Sequence, residues 1–313
     1  MIYVADKCTY ELVEQWQKDT GEGPLNDVCG LAIDDRDQLY VFNRSDHPLC
    51  VFDRGGNLVT SWGEGLFKRG HGACIGPDGC IYCTDDRDHV VHKFDPEGKL
   101  LMTLGKKGQP CDTGYMEKRD YFERLITVER AGPPFNRPTG VAVSFSGFIY
   151  AADGYGNARV HKFTPDGELV LSWGEPGGGP SQFRCPHSIW VDKKERIWVA
   201  DRENHRIQIF DEQGEFIDHW IDVVRPTDIF IDADDTVYVT ELCCRMSVFS
   251  IDGKLLARWG NAKEEDDPET ALFVAPHAVA VDSRGDIYVG EVAKTYARVD
   301  RGTKVIRKFA RRA

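Results

Sequence analysis

Nine histidines are spread over the 313 residues, and three of them, His71, His187 and His277, stand in one register. Each immediately precedes a short apolar run: Gly72-Ala-Cys-Ile, Ser188-Ile-Trp-Val and Ala278-Val-Ala-Val. Three more runs of the same kind follow Cys29, Thr139 and Thr227, so the position reads Cys, His, Thr, His, Thr, His along the chain. With so few histidines, strict alternation over six aligned positions is a poor product of chance. Three neutral imidazoles with an open fourth position form the ligand set of a catalytic zinc, which acidifies water or polarises a bound oxygen. Ligand type alone leaves iron, manganese and copper open beside zinc. Hydrogen bonding of the histidines to backbone is the alternative to metal binding.

Such a column needs elements that bring every second copy to one place. The runs belong to a repeat: Gly30-Leu-Ala-Ile-Asp34, Gly72 to Gly76, Gly140 to Ser144, Ser188 to Asp192, Asp228 to Asp232 and Ala278 to Asp282. A turn follows, then an aromatic with an acid or amide three residues on: Tyr40/Asn43, Tyr82/Asp85, Tyr150/Asp153, Trp198/Asp201, Tyr238/Glu241 and Tyr288/Glu291. A third strand ends on Phe52, Phe94, Phe163, Phe210, Phe249 and Phe309, and a fourth is visible as segments ending on Trp62, Trp173, Trp220 and Trp259. Four antiparallel strands repeated radially make propeller blades, so the expected fold is all-β, a six-bladed β-propeller. Its innermost strands surround the axis, and the histidines of blades two, four and six would converge there. The sixth repeat stops at Ala313 after its third strand, whereas Tyr10 to Trp16 is an orphan strand at the other end. The expectation is that this N-terminal strand closes the ring and removes a sheet edge, giving one domain over residues 1–313.

Two arginines and a tyrosine follow the acid column: Arg44 after Asn43, Arg202 after Asp201, and Tyr155 one position further in the third repeat. Arginine offers a fixed planar fork for a carboxylate, and tyrosine beside a metal can serve as a base. Arg202 also suits a purely structural role, and Arg159 and Arg206 read as framework, with Arg206 expected in a surface pair. The second and third repeats are 68 residues apart (139 − 71) against 42 (71 − 29) for the first and second. The surplus at about 105–138, with Tyr115, Tyr121 and Phe122, is expected on the histidine face and fits either a partly helical lid, the preferred reading, or a solvated decoration.

A formal charge of −12 disfavours phosphate backbones, so no nucleic-acid partner is expected. No stretch approaches ~18 uncharged apolar residues, and Met1 to Cys8 carries Asp6 and Lys7 rather than the apolar run of a signal peptide. The expectations are no membrane partner, a cytoplasmic location, and ten cysteines that are reduced and packed.

The repeats resemble NHL repeats, with Asn204-His205 in the diagnostic place, and the whole pattern resembles the peptidyl-α-hydroxyglycine α-amidating lyases. The segments that carry the likeness are His71-Gly72, Pro186-His187-Ser188, Pro276-His277, Asp153-Gly-Tyr155-Gly-Asn157, Phe42-Asn-Arg44 and Ala200-Asp-Arg202. The resemblance implies a zinc held by His71, His187 and His277, a catalytic Tyr155, and Arg44 and Arg202 binding a small-molecule carboxylate substrate. The reaction implied is carbon–nitrogen cleavage of an N-acyl-α-hydroxyglycine to an amide and glyoxylate. Ala278 replaces the Asp that helps hold a channel calcium in that family, so the resemblance does not carry a structural Ca2+ over to this chain. Gly156 replaces a disulfide cysteine, and Ala275 replaces a methionine of the substrate pocket. The rival readings are a non-enzymatic NHL-repeat propeller scaffold binding a protein or RNA, and a metal-dependent hydrolase on the same fold.

Overall fold

The repeat unit folds as a meander because each turn carries its own closure. In blade four, the Asp192 carboxylate accepts the backbone N–H groups of Lys194 and Arg196 at 2.9 and 3.0 Å and the indole N–H of Trp198 at 3.0 Å. The hydroxyls of Tyr82, Tyr238 and Tyr288 donate in the same way to Asp78, Asp232 and Asp282. In these four blades the aromatic that opens the second strand is thus fastened to the turn before it. Ser144 stands at this place in the third blade, and the buried Tyr150 hydroxyl there has no hydrogen-bond partner.

The computed structural model describes residues 2–5, 8–18, 21, 25–261 and 270–312. It is a six-bladed β-propeller, as the repeats predict. The inner strands are Val28–Ile33, Gly70–Ile75, Pro138–Val143, Pro186–Val191, Pro226–Ile231 and Pro276–Val281. The first five blades are four-stranded sheets in sequence order. The second blade has its outer strand at Leu100–Gly105, which lacks the closing tryptophan of the other copies and gave no signal in the sequence. No helix among the described residues is long and apolar enough to cross a membrane. Cys80, Cys111 and Cys185 are free thiols.

The chain divides into two compact units, one of residues 1–66 and 227–313 and a middle unit of residues 67–226. In the first unit the sixth sheet takes its fourth strand from the N-terminus, as expected: Cys8–Val13 pairs antiparallel with Ile306–Arg312, Leu12 opposite Phe309. The strand starts two residues earlier than Tyr10 and ends before Trp16, because Trp16 leaves the sheet to pack on Phe52 and Tyr288. A fifth strand, Ile2–Ala5, lies outside it. The blade-six connection from Glu291 to Ile306 holds a short helix, Ala293–Ala297, that the repeat pattern did not announce.

In the middle unit the acid column fixes the chain that enters each inner strand. Asp85 accepts the backbone N–H groups of Lys68 and Arg69, Asp153 that of Asn136 at 2.7 Å, and Asp201 that of Arg184 at 2.8 Å. These buried carboxylates receive backbone donors and act as framework, although Asp153 Oδ1 is left without a partner. Directly after them the inner strand slips register against its neighbour, between Gly70 and Ala73, Pro138 and Gly140, and Pro186 and Ser188. The same slip occurs in the first unit between Pro276 and Ala278. A bulge re-aims the side chain it contains, and these bulges contain His71 with Gly72, Thr139, His187 and His277. The histidine column is therefore a column of bulges.

Candidate metal centre

His71, His187 and His277 are all buried, and their ligand atoms lie within 4.8 Å of one another, so the three could hold a metal ion. Two of them have one ring nitrogen committed to backbone. His71 Nδ1 lies 2.6 Å from the Thr139 carbonyl oxygen, and His277 Nδ1 lies 3.0 Å from that of Cys29. A carbonyl can only accept, so each Nδ1 carries the hydrogen and each Nε2 keeps its lone pair. A backbone carbonyl behind the distal nitrogen is the usual support of a metal-ligating histidine. Three imidazoles, two of them held in this way, suit a borderline divalent cation better than calcium, which takes oxygen ligands.

Tyr155 completes the group within the middle unit. Its hydroxyl is 2.8 Å from His71 Nε2 and 3.2 Å from His187 Nε2, and its half-buried ring stands edge-on to both imidazoles. The backbone is held there by bonds from the Tyr155 and Gly156 N–H groups to the carbonyls of Arg137 and Asn136. Gly156 is required: a Cβ at this position would lie 2.3 Å from Asn136 Oδ1 and 2.8 Å from its carbonyl oxygen.

Arg202 is buried with its guanidinium carbon 5.5 Å from the centre of the Tyr155 ring. Its Nε donates to Glu203 at 2.8 Å, and Glu203 also pairs with Arg225 at 2.9 Å. Burial raises the Glu203 carboxyl, but Arg202 and Arg225 outweigh it and leave the group below its ordinary value. Arg202 Nη2 donates to the hydroxyl of Tyr121. Arg44 lies in the other compact unit, where it pairs with Asp27 at 3.5 Å and donates to Thr295 at 3.1 Å. Asp27 in turn accepts the N–H groups of Lys294 and Thr295 at the start of the Ala293–Ala297 helix. Arg159 serves as framework on Glu175 and Gly174. Arg206 does as well, but it is buried on Asp201 and the carbonyls of Gly178, Gly179 and Gln182 rather than in a surface pair.

Of three further residues beside Tyr155, Arg69 and Arg137 escaped the sequence reading, and Tyr121 was named there only as part of the insertion. Arg69 and Arg137 place their guanidinium carbons 5.8 and 5.7 Å from the Tyr155 ring centre, and both face the fully buried Asp86, Arg69 at 2.6 Å and Arg137 at 3.7 Å. They occupy one column, two residues before His71 and Thr139, so a second pass along the alignment would have exposed them. Tyr121 opens the only α-helical turn of the 105–138 insertion, Tyr121–Leu125, which is capped by Asp120. It has no equivalent in the other repeats and carries no repeat signal. Its ring is 6.1 Å from that of Tyr155.

Residues 135–163 and 183–210 match the NHL repeat. These two stretches carry the NHL repeat. It is 33% identical over 217 residues, 58% of this chain and 20% of the other, to peptidylglycine α-amidating monooxygenase of Rattus norvegicus. A probable peptidyl-α-hydroxyglycine α-amidating lyase of Caenorhabditis elegans is 30% identical over 213 residues, 59% of this chain and 56% of that one. NHL repeat-containing protein 3 of Homo sapiens is 26% identical over 97% of this chain and 85% of its own length. The chain thus spans a fifth to a third of the monooxygenase relatives it matches. Among solved structures, a gluconolactonase of Xanthomonas campestris superposes with a TM-score of 0.64 at 13% identity over 100% of this chain and 98% of that one, a likeness of fold alone.

Proposed function

We propose that this NHL-repeat protein is a zinc-dependent carbon–nitrogen lyase that cleaves an N-acyl-α-hydroxyglycine to an amide and glyoxylate. One observation carries the reading: a tyrosine hydroxyl within hydrogen-bond reach of two metal-competent imidazole nitrogens, with a buried arginine over the same ring. The similarity to proteins named as α-amidating lyases supports it.

His71, His187 and His277 would hold the ion. When bound, zinc supplies Lewis acidity that makes the substrate's α-hydroxyl easier to deprotonate. Arg202 and Arg44 hold the carboxylate and so orient the α-carbon. Tyr155 takes the hydroxyl proton while the C–O bond becomes C=O and the C–N bond breaks, its electron pair passing to nitrogen. The proton on Tyr155 then returns to the departing amide nitrogen, so amide and glyoxylate account for every atom of the substrate. The substrate is a small carboxylate, with no part assigned to nucleic acid or lipid.

The test is metal analysis of the purified protein together with glyoxylate release from α-hydroxyhippurate and related N-acyl-α-hydroxyglycines. About one zinc per chain, lost on changing any of His71, His187 or His277 to Ala, and glyoxylate formed at a saturable rate are expected. A fully metallated protein that releases no glyoxylate across the panel would end the lyase reading. The similarity to NHL repeat-containing protein 3 along nearly the whole chain favours a scaffold as the second reading. That reading predicts no retained metal, which the same analysis decides.

A further inference from the structure

The proposed carboxylate fork is not bare. Arg202 Nε is taken by Glu203 and one Nη2 hydrogen by the Tyr121 hydroxyl, while the Tyr121 ring lies under the same guanidinium at 5.2 Å. The phenol oxygen accepts from a permanent cation, and its own hydrogen faces the sulfur of Cys185, a weak acceptor that a carboxylate oxygen would displace. Burial, the largest influence, pushes the Tyr121 hydroxyl well above its ordinary value despite Arg202 beside it, which keeps that hydrogen in place. Beside Arg202 there is thus a second, neutral donor, supplied by the inserted segment.

We infer that Tyr121 is a specificity-determining residue of the active site: its hydroxyl donates to the same substrate carboxylate that Arg202 binds. Arg202 offers its Nη1 edge and its remaining Nη2 hydrogen, and Tyr121, tethered to Nη2, adds a donor on one side of that edge. The pair accepts a planar anion with a lone pair toward each. A neutral amide in its place would turn N–H groups toward N–H and O–H donors and leave these buried groups unpaired, which costs more than the lost attraction alone. The insertion at 105–138 is then part of substrate selection, because its capped turn sets where the phenol stands.

This inference rests on the lyase reading for its substrate, but it can be tested apart from turnover. Binding of hippurate and of its neutral amide to the zinc-loaded protein is measured by calorimetry for wild type, Tyr121→Phe and Arg202→Lys. The Phe variant keeps the ring against Tyr155 and Arg202 and loses only the hydroxyl. Its affinity for hippurate should fall about tenfold, as for one hydrogen bond to a charged group, with hippuramide binding unchanged and the preference for the anion reduced accordingly. In turnover of α-hydroxyhippurate the same variant should raise KM about tenfold and change kcat less than threefold. Equal hippurate affinity in wild type and Tyr121→Phe overturns the inference, as does a wild type that does not prefer hippurate to its amide. Hippurate binding that needs Tyr121, without any glyoxylate release, would sink the lyase reading and leave this site standing.

Discussion

Trp16 fastens the N-terminal segment to the first compact unit, and its removal has a size that the structure lets one work out. The indole is nearly fully buried in a cluster with Leu39, Val41, Phe52, Ala280 and Tyr288, its ring centre 5.2 Å from Tyr288 and 5.7 Å from Phe52. Truncating a buried Trp to Ala typically costs about 3–5 kcal/mol through lost transfer energy and the cavity left behind. The indole N–H also donates to the Arg54 carbonyl at 2.8 Å, but that oxygen keeps a second donor, Lys308 Nζ at 3.1 Å, so this bond adds only about 1 kcal/mol. Trp16→Ala should therefore lose roughly 4–6 kcal/mol, and at about 2 °C per kcal/mol for a chain of this size Tm should drop by about 8–12 °C. Trp16→Phe, which keeps a ring in the cluster, should lose less than half of that. Thermal unfolding followed by far-UV circular dichroism and by tryptophan fluorescence reads both variants. A Tm within 2 °C of wild type for Trp16→Ala would show that the N-terminal strand is not held as described. Deleting residues 1–16 should lower Tm further and promote association, since Ile306–Arg312 would become an uncovered edge.

Three further outcomes follow from the site and its surroundings. Tyr155→Phe should reduce glyoxylate release about 10²–10⁴-fold with zinc content unchanged, and loss of zinc in this variant would instead make the hydroxyl a ligand support. Gly156→Cys should lower Tm by several degrees, as overpacking against Asn136 costs roughly 1–3 kcal/mol, and an unshifted melting curve would refute the close approach. His89 is held below its ordinary pKa, chiefly by burial, while its Nδ1 accepts the Arg137 N–H at 3.1 Å. Below about pH 6.5 the unfolded chain therefore takes up the proton more readily than the folded one. Stability should fall as pH drops through that value and level off once folded His89 is itself protonated. His89→Gln, which keeps an acceptor, should weaken this acid dependence in urea titrations at stepped pH, and an identical pH profile would exclude His89 as a contributor.

The parts of the molecule legible in the sequence are those that repeat. The aromatics that open the second strands recur, so Tyr82 and Tyr238 announced the strands and their order, while their fastening to the turn carboxylates Asp78 and Asp232 needed coordinates. The acid column was visible as a marker, although its task, holding the chain that leads into each bulge, needed coordinates. Features that occur once were silent: the outer strand Leu100–Gly105, the helix Ala293–Ala297, and Tyr121 in an insertion with no second copy to align. Arg69 and Arg137 lay between these cases. Their shared offset from the column was readable, but two arginines before a strand also describe a solvated edge, and only their approach to Asp86 and the Tyr155 ring distinguishes them.

The alternation of histidine and threonine can be weighed against what the framework needs. Thr139 Oγ1 donates to the Pro186 carbonyl at 2.7 Å and Thr227 Oγ1 to that of Pro276 at 2.9 Å, each reaching into the next inner strand. His71 and His277 perform the same service through Nδ1 on the carbonyls of Thr139 and Cys29. Threonine thus meets the structural demand with a short side chain that ends at the bond it makes. Histidine meets it and still presents a second nitrogen, at the cost of burying a larger polar ring whose other edge needs a partner of its own. Nothing in the bulge requires that extra nitrogen. For His71 and His187 it faces the Tyr155 hydroxyl, a group whose position is itself fixed by Gly156 and the neighbouring backbone bonds. A framework optimised only to hold blades together would have kept threonine at all six positions, and the chemistry in excess of that need is the physical argument for a working site.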